Sequence, residues 1–138
     1  MLKLFRRAED HSDRLAIIQN SESYTYKDLQ VASSNLALSL LSKKDDLKEE
    51  RIGFLIPPSF DYISLQWAIW KAGGVAVPLS IVATESEILH FLKDAKISVL
   101  VTNKKNTKSL RKLTDSLNIK IKNIRNLGEK QKKCLPVI

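Results

Sequence analysis

No pair of cysteines exists in this chain. The single thiol, Cys134, excludes an internal disulfide and suits a reducing compartment. No histidine lies near Cys134 in sequence, so it reads as a spectator and not a nucleophile. There are two histidines, His11 and His90, too few and too far from the cysteine for a zinc site. There are four glycines, Gly53, Gly73, Gly74 and Gly128. None belongs to a glycine-rich loop followed by lysine, the arrangement whose backbone N–H groups cradle a triphosphate. No apolar run approaches the roughly 18 residues of a membrane helix. Residues 1–7 lack the apolar stretch of a secretory signal. The expected location is cytoplasmic, with no membrane partner.

Negative charge is scarce only at one end. The net charge is +8 over 138 residues. Residues 1–102 hold 12 Lys/Arg and 13 Asp/Glu, whereas residues 103–138 hold 11 and 2. The basic character therefore belongs to the end of the chain. Lys104, Lys105, Lys108, Arg111, Lys112, Lys120, Lys122, Arg125, Lys130, Lys132 and Lys133 carry it. No aromatic residue lies among them to stack a base, which disfavours a nucleic-acid role and leaves a solvated surface as the simpler reading.

The chain is organised around Arg51–Leu79. Ile52 to Ile56 is a short apolar run suited to a strand buried on both faces. Pro57 and Pro58 stop it, because neither can donate to a ladder. Ser59 caps a helix with Asp61 in its first turn. Ile63, Trp67 and Trp70 fall at spacings of four and three and predict one inward stripe. Either tryptophan, if buried, should contribute on the order of 2–3 kcal/mol. Gly73 and Gly74 end the helix, and Val75–Val77 is a second strand closed by Pro78. Strand, helix and strand this close together predict a right-handed βαβ unit with parallel strands.

On either side the patterns continue. A short helix over 2–8 should turn Leu2, Leu4 and Phe5 inward. Leu15–Ile18 is a strand, and Ser23–Tyr26 can pair back on it as a hairpin arm. Thr25 and Asp28 make a capping box for a helix with Leu29, Ala32, Leu36 and Leu40 on one face, ending near Ser42. Lys43–Glu50 is a charged loop. Its Asp45, Asp46, Glu49 and Glu50 read as a solvated connection in preference to a metal site. Thr84 and Glu87 form a second capping box for a helix carrying Ile88, Leu89 and Leu92. His90 on that helix reads as solvent-facing or satisfied, and His11 as exposed. Ile97–Val101 is a third buried strand, 103–118 a basic helix with Leu110, Leu113 and Leu117, and Ile119–Ile124 a half-buried or edge strand. The fold class is α/β, a βαβ-type parallel sheet with helices on both faces.

Two stretches carry a resemblance. Gln66–Leu79, with Trp67, Trp70 and the Gly73–Gly74 pair, resembles the helix-to-strand segment near the start of the adenylate-forming enzymes. These include AMP-forming acyl-CoA synthetases, and the spelling is closest to the malonyl-CoA synthetase branch. Tyr24–Leu29 is similar to the opening of that family's first long helix, and Thr102 to the end of its third strand. The resemblance covers 13–102 strongly, thins over 103–124 and is not seen from 125.

The resemblance implies two units: 1–124 as the first part of an N-terminal AMP-dependent synthetase/ligase domain, and 125–138 as a basic, poorly structured tail. It implies that the complete enzyme uses ATP, Mg and CoA to convert a short acid such as malonate, through an acyl-adenylate, to its CoA thioester in fatty acid metabolism. The family's triphosphate loop, its acyl- and Mg-binding groups and its catalytic lysine have no counterpart among these residues. No catalytic, cofactor-binding or metal residue is therefore assigned, and the chain is expected to be inactive alone. One alternative is half of a split synthetase, with the remainder as partner. The other is a non-catalytic binding module whose basic tail meets nucleic acid or an acidic partner.

Overall fold

Two alternating side-chain patterns decide the architecture seen in the computed structural model, which describes residues 2–127. The element order is α1 (Lys3–Asp10), β1 (Leu15–Gln19), β2 (Glu22–Thr25), α2 (Tyr26–Leu41), β3 (Arg51–Leu55), α3 (Phe60–Lys71), β4 (Val75–Pro78), α4 (Glu85–Asp94), β5 (Val99–Thr102), α5 (Lys108–Ser116) and β6 (Lys120–Asn123). β1 and β2 form an antiparallel hairpin. The other four strands form one sheet in the order β4-β3-β5-β6, with every pair parallel.

β3 and β5 lie in the middle and send residues to both faces, the pattern of parallel strands covered on two sides. Ile52, Phe54 and Ile56 join Val99 and Val101 against Leu36 and Leu40 of α2 and Leu65, Ala68 and Ile69 of α3. Leu55 and Leu100 face the other way, toward Ile88 and Leu92 of α4 and Leu110 of α5. The expected parallel sheet with helices on both faces is observed. The neighbouring strands β3 and β4 are bridged by the tryptophan helix, in register from Arg51 opposite Val75 to Phe54 opposite Pro78.

Local start and stop signals work as chemistry requires. Thr25 and Thr84 each close both halves of a capping box, with Asp28 and Glu87 respectively. Ser59 Oγ accepts from the Tyr62 N–H at 3.2 Å and opens α3. Gly73 follows the α3 C-cap, Ala72, with φ of +82°. A Cβ there would meet only the tip of the exposed Asp46 side chain, which can swing aside, so it is the left-handed backbone that calls for glycine.

Several expectations fail for tertiary reasons. The stripe Ile63, Trp67, Trp70 is not one buried face. Trp67 is 6% exposed but Trp70 is 37% exposed, and Ile63 is half-buried. The face of α3 toward the sheet is instead Leu65, Ala68, Ile69 and Ala72. Trp67 packs the opposite way, on Phe5 of α1 (ring centroids 5.2 Å apart) and near Leu29 of α2. In α1 only Phe5 and Ala8 are buried, and Leu2 and Leu4 remain exposed. Ala32 of α2 is only partly covered, while Ser33 is fully buried. The loop over 43–50 is not simply solvated. Leu47 is buried in the core, and the Leu47 and Glu49 N–H groups donate to Ala72 O and Gly73 O at the end of α3. α5 begins at Lys108, five residues later than the pattern suggested. Residues 124–127 are helical with Leu127 buried, and Ser39 Oγ donates to Leu127 O at 2.6 Å. The remainder of the expected tail, from residue 128, lies outside the described residues.

A half-buried cation joins α2 to α3. Lys71 Nζ donates to Gln30 Oε1, to Ser33 Oγ at 2.8 Å and to Ser34 Oγ at 3.1 Å, and sits 5.1 Å from the centre of the Phe5 ring. All these oxygens are neutral. Burial therefore lowers the Lys71 pKa, partly opposed by the more distant Glu9 carboxylate.

Three outcomes follow from this packing. Trp67→Ala should destabilise by about 3–5 kcal/mol, as for other buried large-to-alanine changes, and Trp70→Ala by about 1 kcal/mol or less; urea midpoints of the two variants compare them. Gly73→Ala should lower the urea midpoint by the equivalent of about 1–3 kcal/mol, because its left-handed backbone strains any residue with a Cβ. Lys71 has a folded-state pKa below its unfolded value. Between those two values the unfolded chain holds the proton and the folded chain does not, so stability rises with pH there and is flat below. The stability difference between wild type and Lys71→Met should therefore shift in favour of wild type as pH climbs from neutral toward about 10, measured by urea melts at both ends.

Candidate functional site

In an open parallel sheet, ligands bind outside the carboxyl ends of the strands where the chain's winding reverses. Here the chain leaves β3 toward β4 on one side and leaves β5 toward β6 on the other. The reversal falls between β3 and β5. The loops that meet there are Pro57–Ser59 and residues 103–107.

The polar groups of this crevice are engaged with the backbone. Ser59 Oγ donates to Pro57 O at 2.8 Å besides capping α3. Thr102 Oγ1, fully buried, donates to Leu55 O at 3.3 Å and accepts from the Lys104 N–H at 3.2 Å. Asn123 Nδ2 donates to Lys104 O at 3.0 Å and ties the loop to the end of β6. Asn106 Oδ1 accepts from the Lys108 N–H at 3.1 Å. Thr102 thus locks the two central strands together at the place where a ligand loop would stand. The Ser59, Thr102 and Thr107 hydroxyls are occupied by the fold's own groups, and no glycine stands in either loop to let a backbone cradle approach a triphosphate. No phosphate-transfer step is derived from them.

The other residues singled out by the sequence do not converge. His11 caps α1, its N–H donating to Ala8 O at 3.2 Å. His90 is exposed on α4, with its ring 5.9 Å from that of Phe91. Asp46 Oδ1 accepts from the Lys48 N–H at 2.7 Å. Among the described residues no three His, Cys, Asp or Glu side chains are grouped to hold a metal. Cys134, Lys130, Lys132 and Lys133 lie outside the described residues. No helix of the described residues is long and apolar enough to cross a membrane.

What the structure does bring together is positive charge. Lys105 and Arg111, from the loop and helix after β5, line one groove with Lys122 of β6 and with Lys43 from the end of α2. Lys43 stands some sixty positions earlier in the chain and was not among the basic residues that the sequence grouped. No spacing rule links it to the others; only the packing of α2 against the sheet does. Lys71 was likewise unforeseen, because nothing in its neighbourhood on α3 announces the oxygens of α2.

Comparison with known proteins follows the same outline. The chain is 34% identical over 120 residues to the mitochondrial malonate–CoA ligase of Mus musculus, covering 84% of this chain and 21% of that protein. It is 33% identical over 123 residues to the malonate–CoA ligase of Arabidopsis thaliana, covering 78% of this chain and 20% of that one. It thus spans about one fifth of the length of these relatives. Its fold superposes on the o-succinylbenzoate CoA synthetase of Bacillus subtilis in complex with the acyl-adenylate intermediate, with a TM-score of 0.80 at 22% identity, over 91% of this chain and 32% of that one. The pattern of AMP-binding enzymes matches residues 4–136, into the stretch where no resemblance was read from the sequence. The chain therefore belongs to the AMP-binding enzyme family.

Proposed function

We propose that this chain is the leading scaffold segment of an AMP-forming acyl-CoA synthetase acting on a short carboxylic acid, with malonate as the best single substrate. In the complete enzyme the acid's carboxylate would attack the α-phosphate of ATP, releasing pyrophosphate, and the CoA thiol would then displace AMP from the acyl-adenylate. The observation that carries this reading is the one-third identity to malonate–CoA ligases across most of the chain. The residues between β3 and β5 support the scaffold role, because their hydroxyls hold strands together instead of presenting donors to a nucleotide. A cytoplasmic location is part of the proposal and rests on the single cysteine.

Two measurements test it. The 138-residue chain with ATP, Mg and malonate should release no pyrophosphate. A chimera in which this chain replaces the corresponding residues of the Arabidopsis malonate–CoA ligase should release AMP in a malonate- and CoA-dependent way. Turnover by the chain alone overturns the scaffold role. A folded chimera that adenylates no acid overturns the synthetase reading, and one that prefers another short acid overturns malonate.

A further inference from the structure

α1 is fastened to the rest of the fold at a single turn. Of its eight residues it buries Phe5 and Ala8, which stand three apart on one face. The Phe5 ring packs on the Trp67 indole, with centroids 5.2 Å apart, and meets the Lys71 amine 5.1 Å from its centre. The Phe5 carbonyl accepts from Gln30 Nε2 of α2 at 2.9 Å. Trp67 and Leu29, both buried, belong to the same apolar cluster.

The Gln30 amide has two ends with opposite duties. Nε2 donates to Phe5 O, and Oε1 accepts from Lys71 Nζ. A carbonyl oxygen can only accept and an ammonium can only donate. Turning the amide over would set like against like at both ends, so its orientation is fixed. The Lys71 amine therefore holds α1 twice: directly through the Phe5 ring, and indirectly through the amide that it orients.

The turn after α1 is held separately. Ser12 O accepts from the Lys27 N–H and Arg14 O from the Tyr26 N–H, both at 3.0 Å. These bonds tie residues 12–14 to the start of α2, whatever α1 does. Any motion of α1 against the body must then turn between Asp10 and Ser12. A helix of eight residues is below the length that persists unsupported in water. Its helical form and its docking on Trp67 are therefore gained and lost together.

We propose that α1 is a releasable strap over Trp67, latched through Gln30 to Lys71, and that it opens as a unit while the sheet stays folded. The inference uses these contacts and does not rest on the synthetase reading. Hydrogen exchange on the full 138-residue chain, followed by NMR across low urea concentrations, tests it. Corrected for intrinsic rates, the amides of residues 7–10 should exchange about a hundredfold or more faster than those of β3 and β5, with little dependence on urea. Gln30→Glu keeps an oxygen for Lys71 but sets a carboxylate against Phe5 O. It should speed α1 exchange by about fivefold or more, while the β3 amides, which also register the new ion pair with Lys71, should not follow. Trp67, observed alone in a Trp70→Phe background, should become more open to acrylamide in the same variant. Amides of α1 that exchange only with global unfolding, at the urea dependence of β3, overturn the strap. Exchange of α1 unchanged in Gln30→Glu, or accelerated equally in α1 and β3, overturns the latch.

Discussion

The double-sided burial of β3 is the constraint on which the rest depends. This strand shares ladders with β4 and β5 and is covered by helices above and below. Beyond the exposed Arg51 at its start, each of its residues must therefore be apolar or, at Gly53, small enough to admit the Ile97 side chain. A strand with no solvent face cannot slip in register without placing a wrong side chain in a packed layer. Its neighbours inherit that register, and the helices that follow each strand inherit the faces on which they must lie.

α3 is the element that shows how much a middle layer must satisfy. One side of it meets the sheet through Leu65, Ala68 and Ile69. Another meets α1 through Trp67 and Phe5. Its last residue, Lys71, reaches into the hydroxyls and amide of α2, and the turn after it receives the loop before β3. The hairpin is also fastened to α3: Tyr24 stacks on Phe60 with ring centroids 4.0 Å apart, and Gln19 Oε1 accepts from the Phe60 N–H at 2.8 Å. A helix contacted on so many sides has no single apolar stripe, which is why the spacing of Ile63, Trp67 and Trp70 misassigned its inward face.

The crevice between β3 and β5 and the groove beside β6 differ in the polar groups they present. In the first, Thr102 and Ser59 hold the strand ends together, and the polar groups are consumed by the fold. In the second, exposed cations from the end of α2, from the loop after β5 and from α5 line one concavity.

Much of the fold was legible in the residues because it depends on local chemistry. Thr25 with Asp28 and Thr84 with Glu87 close boxes within four residues of themselves. Pro57, Pro58 and Gly73 stop elements by their own backbone restrictions, and the apolar runs of β3 and β5 announce strands with two buried faces. The candidate groove was not legible, since Lys43 meets Lys105 and Arg111 only after α2 has packed on the sheet. Nor was the burial of Leu47, that of Trp67 away from the sheet, or the placing of the half-buried Lys71 amine among neutral oxygens. By itself the sequence determined how the elements alternate and, wherever a cap, proline or glycine marks an end, where they begin and stop, because those signals act over three or four residues. Only the tertiary structure decided which faces were hidden and which charges became neighbours, because those depend on distances between segments that no local pattern encodes.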